Sequence, residues 1–105
     1  MRREIFDRMK NMSQRLKDKY DAQTIILFGS YARGDETDDS DIDLFVIAPR
    51  RERFFERIAS VKCLIRDLRN GLPVAPIVLT PEEIEKRMKL GDQFIMDILE
   101  NGVRL

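Results

Sequence analysis

Apolar residues recur every three or four positions near the start of the chain. Ile5, Met9, Met12 and Leu16 are flanked by Arg, Lys, Asp and Gln, which predicts an amphipathic helix over residues 3 to 20. The run 24-TIILF-28 is short, apolar and rich in β-formers, and Gly29 closes it, so it reads as a buried strand. An irregular segment follows to Ser40, and 42-IDLFVIA-48 reads as a second strand that Pro49 ends. Phe54, Ile58, Val61, Ile65 and Leu68 then return to helical spacing, predicting a helix over residues 50 to 69 that Asn70-Gly71 stops. A third strand is expected at 74-VAPIVLT-80. Thr80, Pro81 and Glu83 form a helix start: a cap, a first-turn proline and a capping-box acid, with the helix running to residue 89. Gly91-Asp92 restarts a helix through Asn101-Gly102, and residues 103 to 105 would add an edge strand. The order α-β-β-α-β-α-α-(β) predicts an α/β (α+β) fold, with helices covering a small mixed sheet.

Composition narrows this picture. A chain of 105 residues fits a single domain over 1–105, and 43% apolar content is enough for a core. The 19 basic and 19 acidic residues cancel, so overall charge points to neither direct nucleic-acid binding nor an anionic membrane. The charges are nevertheless segregated. Residues 35 to 43 carry six carboxylates, and residues 50 to 69 carry Arg50, Arg51, Arg53, Arg57, Lys62, Arg66 and Arg69. That basic stretch is either a solvated helix face or an anion-attracting wall beside the acidic loop. Cys63 is alone and there is no histidine, which excludes an internal disulfide, cysteine-based zinc binding and a histidine base. Cys63 falls inside the helix predicted over residues 50 to 69 and reads as structural. Any metal chemistry must use oxygen ligands, hence Mg²⁺, Mn²⁺ or Ca²⁺. No apolar run reaches membrane-spanning length, and MRREIFDRMK lacks a signal peptide's apolar stretch, so a cytoplasmic protein is expected.

The candidate chemistry lies in 29-GSYARGDETDDSDIDLF-45. Asp41 and Asp43 flank Ile42, so on a strand their side chains share a face while Ile42, Leu44 and Val46 take the other. Such a pair can hold one or two divalent cations; without a cation it repels itself. Gly29-Ser30 follows a buried strand directly. It is either an ordinary turn or one where backbone N–H groups and a hydroxyl receive phosphate oxygens. The Lys-Ser/Thr ending of a P-loop is absent. Arg33 is positioned to pair with Asp35 or with a phosphate. Tyr31 and Phe94 are candidates for an interface or for packing.

In combination these elements are more specific. A strand, Gly29-Ser30-Tyr31-Ala32-Arg33-Gly34, a short polar loop, and Ser40-Asp41-Ile42-Asp43-Leu44 leading into a strand resemble the nucleotidyltransferase superfamily of DNA polymerase beta. The close spacing and the ending 72-LPVAPIVLTPEEIEKRMKLGDQFIMDILENGVRL-105 are similar to the minimal nucleotidyltransferase (MNT) proteins of prokaryotes, across nearly the whole chain. The resemblance implies the polymerase-beta-like fold and Mg²⁺-dependent transfer of a nucleoside monophosphate, usually AMP from ATP, to a hydroxyl. By position it implies Gly29, Ser30 and Arg33 at the phosphates, and Asp41 and Asp43 as catalytic Mg²⁺ ligands. Asp35, Glu36, Asp38 and Asp39 fall outside the motif and read as solvated loop charges. The family carries a third carboxylate on the later strand, where this chain has Ala75. That departure predicts a weaker second-metal site and no base. Two functions follow from the resemblance. One is an enzyme acting on a hydroxyl acceptor, on a partner toxin of the HEPN type; the other is a weak or inactive antitoxin-like module that regulates such a partner by contact. A homodimer is compatible with either.

Overall fold

A computed structural model describes all residues, Met1–Leu105. The elements are α1 (Arg3–Tyr20), β1 (Thr24–Phe28), α2 (Ser30–Arg33), β2 (Ile42–Ile47), α3 (Phe54–Leu64), α4 (Arg66–Arg69), β3 (Val74–Leu79), α5 (Pro81–Lys89), α6 (Gln93–Asn101) and β4 (Val103–Arg104). The sheet order is β3-β2-β1-β4. β1 pairs antiparallel with β2 and with β4, while β2 and β3 run parallel. The sheet is therefore mixed, and α3 and α4 provide the crossover that a parallel pair requires.

The period-two alternation of the strands divides the core between two faces. On one face Ile25, Leu27, Leu44, Val46 and Val78 meet Met9, Met12 and Leu16 of α1 and Val61 of α3. On the other, Ile26, Phe45 and Leu79 meet Ile95 and Ile98 of α6. The methionines expected in the core are fully buried. Tyr31 packs against the larger cluster, whereas Phe94 is about half exposed and meets Phe28 edge-on at 5.8 Å. The capping box at Thr80 and Glu83 is complete.

Three local expectations change. Residues 30 to 33 form a one-turn helix where the pattern suggested irregular chain. The stretch 50 to 69 is two helices, because Ile65 departs from helical geometry at φ −106° and ψ 6° and residues 50 to 53 stay outside α3. Cys63 is exposed, so it is not a packing residue.

Residues 50 to 53 are withdrawn from the helix by a polar cluster around Glu52. Tyr20 Oη donates to Glu52 Oε1 at 3.0 Å, Arg50 Nε donates to the same atom at 2.9 Å, and Ser60 Oγ donates to Oε2 at 2.6 Å. Arg57 Nε donates to the Glu52 carbonyl at 2.7 Å, and Arg50 stacks on the Tyr20 ring at 4.3 Å. Arg57 is buried, and it also donates to the Val78 carbonyl at 3.2 Å and to Glu83 Oε1 at 2.6 Å. The basic stretch is thus neither a uniform solvated face nor a uniform wall: Arg50 and Arg57 are structural.

Titration follows from these contacts. Burial, then the bond to Glu52, pushes the Tyr20 hydroxyl up to about 12. The Ser60 hydroxyl, then Arg50, holds Glu52 below its ordinary 4.5. A depressed carboxyl binds its proton less tightly in the folded chain than in the unfolded one. Its stabilisation is present above the unfolded value and disappears as pH falls through the folded one. Urea unfolding should therefore show stability falling as pH drops below about 4.5. Glu52→Gln should be less stable at pH 7 and lose less on acidification; an unchanged acid slope would remove Glu52 from this account.

Candidate active site

The motif residues converge where β1 ends and β2 begins. β1 delivers Phe28 opposite Asp43, and β2 in turn sets Asp43 opposite Ala75 of β3. At the end of β1 the chain must pass from strand into α2 within one residue. Gly29 does so at φ 75° and ψ −154°, a region that only glycine occupies readily. A Cβ here would also stand 2.2 Å from Asp43 Oδ2. The missing side chain at Gly29 is therefore the space in which the Asp43 carboxylate sits. The Gly29 carbonyl accepts from Ala32 and Arg33 N–H at 3.1 Å each, which winds α2 with Ser30 as its first residue.

Asp43 is half-buried and Asp41 is exposed, one residue before β2. Burial, then the charge of Asp41, raises the Asp43 pKa, with Arg33 offsetting part of this. Arg33 itself is exposed, its Nε 3.2 Å from Asp35 Oδ2, so of its two alternatives the structure contains the ion pair. The acidic loop is tied by Thr37 N–H to Ser40 Oγ at 2.8 Å and Ser40 N–H to the Thr37 carbonyl at 3.1 Å. Asp38 and Asp39 are solvated as expected. Glu36 is not: it is partly buried, with Oε2 3.4 Å from the Met1 amino group.

A cleft of about 260 Å³ opens on either side of this centre. One lies between the Gly29 turn and α6 and includes Phe28, Arg33, Asp97 and Asn101. The other lies at the β3 side and includes Asp41, Ala75, Lys62 and Arg69. Lys62 and Arg69 were visible in the basic stretch, but no local signal tied them to Asp41, which is more than 20 positions away.

The nucleotidyltransferase domain family matches residues 9–105. The chain belongs to that family. It is 35% identical over 96 residues to MJ0604 of Methanocaldococcus jannaschii, spanning 90% of each chain, and that protein carries the provisional name protein adenylyltransferase. Two more proteins of that organism bear the same provisional name. MJ0141 is 37% identical over 66% of this chain and 69% of its own length; MJ1379 is 51% identical over 41% and 43%. No solved structure matches the chain. The small mixed sheet with flanking helices is the polymerase-beta-like nucleotidyltransferase fold that the motif implied.

Members of this family act on nucleoside triphosphates, typically with a divalent metal. No three acidic side chains converge to form a cage. Asp41 and Asp43 alone provide two carboxylates, and the repulsion that raises Asp43 is what a cation would relieve. Mg²⁺ keeps several waters and commonly takes one or two carboxylates together with substrate phosphates. The pair suits a cation arriving with a phosphate ligand and does not suit a closed structural site.

This candidate centre should therefore trade stability for charge. Asp43→Asn should stabilise the metal-free protein by about 0.5 kcal/mol at pH 7, since it removes a half-buried repulsive charge. Gly29→Ala should destabilise it by about 1–3 kcal/mol. Urea denaturation of both variants checks the two signs.

Proposed function

We propose that this chain binds ATP with Mg²⁺ at the Gly29–Asp43 centre and transfers AMP to a hydroxyl on a protein. The observation that carries the reading is the fit of Asp43's carboxylate into the space left by Gly29, which joins the phosphate turn and the carboxylate pair in one unit. The provisional name shared by the relatives supports a protein acceptor. In this reading Gly29 and Ser30 receive phosphate oxygens and Arg33 exchanges Asp35 for phosphate. Asp41 and Asp43 would hold Mg²⁺, which when bound neutralises charge on the attacking and leaving oxygens. The acceptor oxygen forms a bond to the α-phosphorus, the bond to the β-phosphate bridge breaks, and pyrophosphate leaves. Position 75 offers no side chain to take the acceptor's proton, so water takes it.

A second reading has a specific observation in its favour. Ala75 is the register partner of Asp43, on the neighbouring strand where an added carboxylate would complete a three-acid set. A centre lacking that acid suits an antitoxin-like module that binds Mg²⁺–nucleotide weakly and regulates a HEPN-type partner by contact. In either reading residues 1 to 105 act as one unit, and a homodimer is compatible with both.

Calorimetric titration with ATP, with and without Mg²⁺, tests the shared core of both readings. Mg²⁺-dependent binding that Asp41→Asn abolishes is the expected outcome; no binding by the folded chain would retire the nucleotide site. Transfer of label from α-labelled ATP to a protein acceptor then separates enzyme from module. Ala75→Asp should raise transfer at least tenfold, about 1.4 kcal/mol of barrier. Unchanged transfer in a folded variant would show that position 75 is not the place of the missing acid.

A further inference from the structure

The sheet order sets the flanks of the aspartate pair on different strands. The Gly29 turn leaves from β1, Asp43 is on β2, and Ala75 is on β3. In an in-line displacement the attacking and leaving oxygens lie on opposite sides of phosphorus. If the phosphates occupy the Gly29 side, as the proposed function has it, the acceptor hydroxyl enters from the β3 side. The surface there is the cleft lined by Asp41, Lys62, Arg69, Pro73, Val74 and Ala75, of about 260 Å³.

Two cations and one carboxylate line that cleft. Lys62 is exposed on α3 and joins none of the chain's ion pairs. Arg69 commits one nitrogen, Nη1, to the Leu72 carbonyl at 3.1 Å and keeps the rest of its fork. Of the two acids closest to Lys62 along the chain, Asp67 is engaged with Arg15 at 2.7 Å, and Glu56 is exposed on α3 and forms no ion pair with Lys62 or Arg69. The other cations of this stretch with fixed partners, Arg50 and Arg57, serve the Glu52 cluster at the far end of the strands. Lys62 and Arg69 therefore have charge to offer a ligand.

We propose that this cleft is the acceptor subsite, and that Lys62 and Arg69 select a protein hydroxyl flanked by carboxylates. The inference rests on the proposed transferase reading for the direction of approach. An acidic peptide fits better than a polynucleotide. The cleft has no aromatic side chain on which a base could stack, and two cations are few for a phosphate chain.

The test is an amide NMR titration of the full chain with Mg²⁺ and a non-hydrolysable ATP analogue present. The probes are two pentapeptides with a central tyrosine, one flanked by four glutamates and one by four lysines. The acidic peptide should shift the Val74 and Ala75 amides with at least tenfold lower Kd than the basic one. Lys62→Glu should erase or reverse that preference; Lys62 is exposed, so the variant should keep its fold, which its own amide spectrum checks. Lys62→Arg should preserve the preference. Equal affinities, shifts away from Val74 and Ala75, or tighter binding of an oligoadenylate in the same cleft would overturn the proposal. Acidic-peptide binding with no ATP binding would instead fail the transferase reading and leave the cleft's charge selection standing.

Discussion

The centre of this molecule depends on a side chain that is absent. Asp43 Oδ2 lies 2.2 Å from where a Cβ on residue 29 would be, so no larger residue fits without moving the carboxylate or the turn. The same residue needs a backbone conformation nearly closed to other amino acids. Steric and conformational demands thus coincide on Gly29. The antiparallel register of Phe28 with Asp43 brings them together, and the alternating burial of β1 and β2 fixes that register. A one-residue slip would turn Asp43 into the face filled by Met9, Met12 and Leu16.

The opposite end of the strands is organised around charge that is fully matched. Glu52 receives hydrogen bonds from Tyr20, Arg50 and Ser60, while Arg57 links the loop, β3 and the start of α5. Matched charge at one end and unmatched charge at the other gives the molecule a polarity: one end is built for stability, the other carries two neighbouring carboxylates held at some cost.

Much of this was legible in the sequence, for physical reasons. α1, β1, β3 and the Thr80 cap follow from local periodicity and capping chemistry, which need only neighbours along the chain. The nearness of Asp41 to Asp43 was expected from strand geometry, although Asp41 lies one residue before β2 and only its charge is seen acting on Asp43. The break at Ile65 was not legible, because the apolar spacing of Ile58, Val61, Ile65 and Leu68 is preserved across it. Nor was the sorting of the cations. Arg57 and Lys62 stand five positions apart with the same charge, and only the fold buries one against Glu83 and leaves the other in water. Glu36 looked like its solvated neighbours until Met1 was brought beside it.

One further consequence concerns the rim of the sheet. Ile42 N–H bonds to the Pro73 carbonyl and Ala48 N–H to the Leu79 carbonyl, so the odd-numbered residues of β3 face β2 and the even-numbered ones face outward. Pro76 is outward-facing and has no N–H to offer, while the outward carbonyl of Val78 is already taken by Arg57. A foreign strand laid along this rim would find the donor missing at Pro76 and the acceptor already taken at Val78. A single ring and a single guanidinium thus guard the molecule against fibrous association, on the flank where its parallel sheet would otherwise be open to growth.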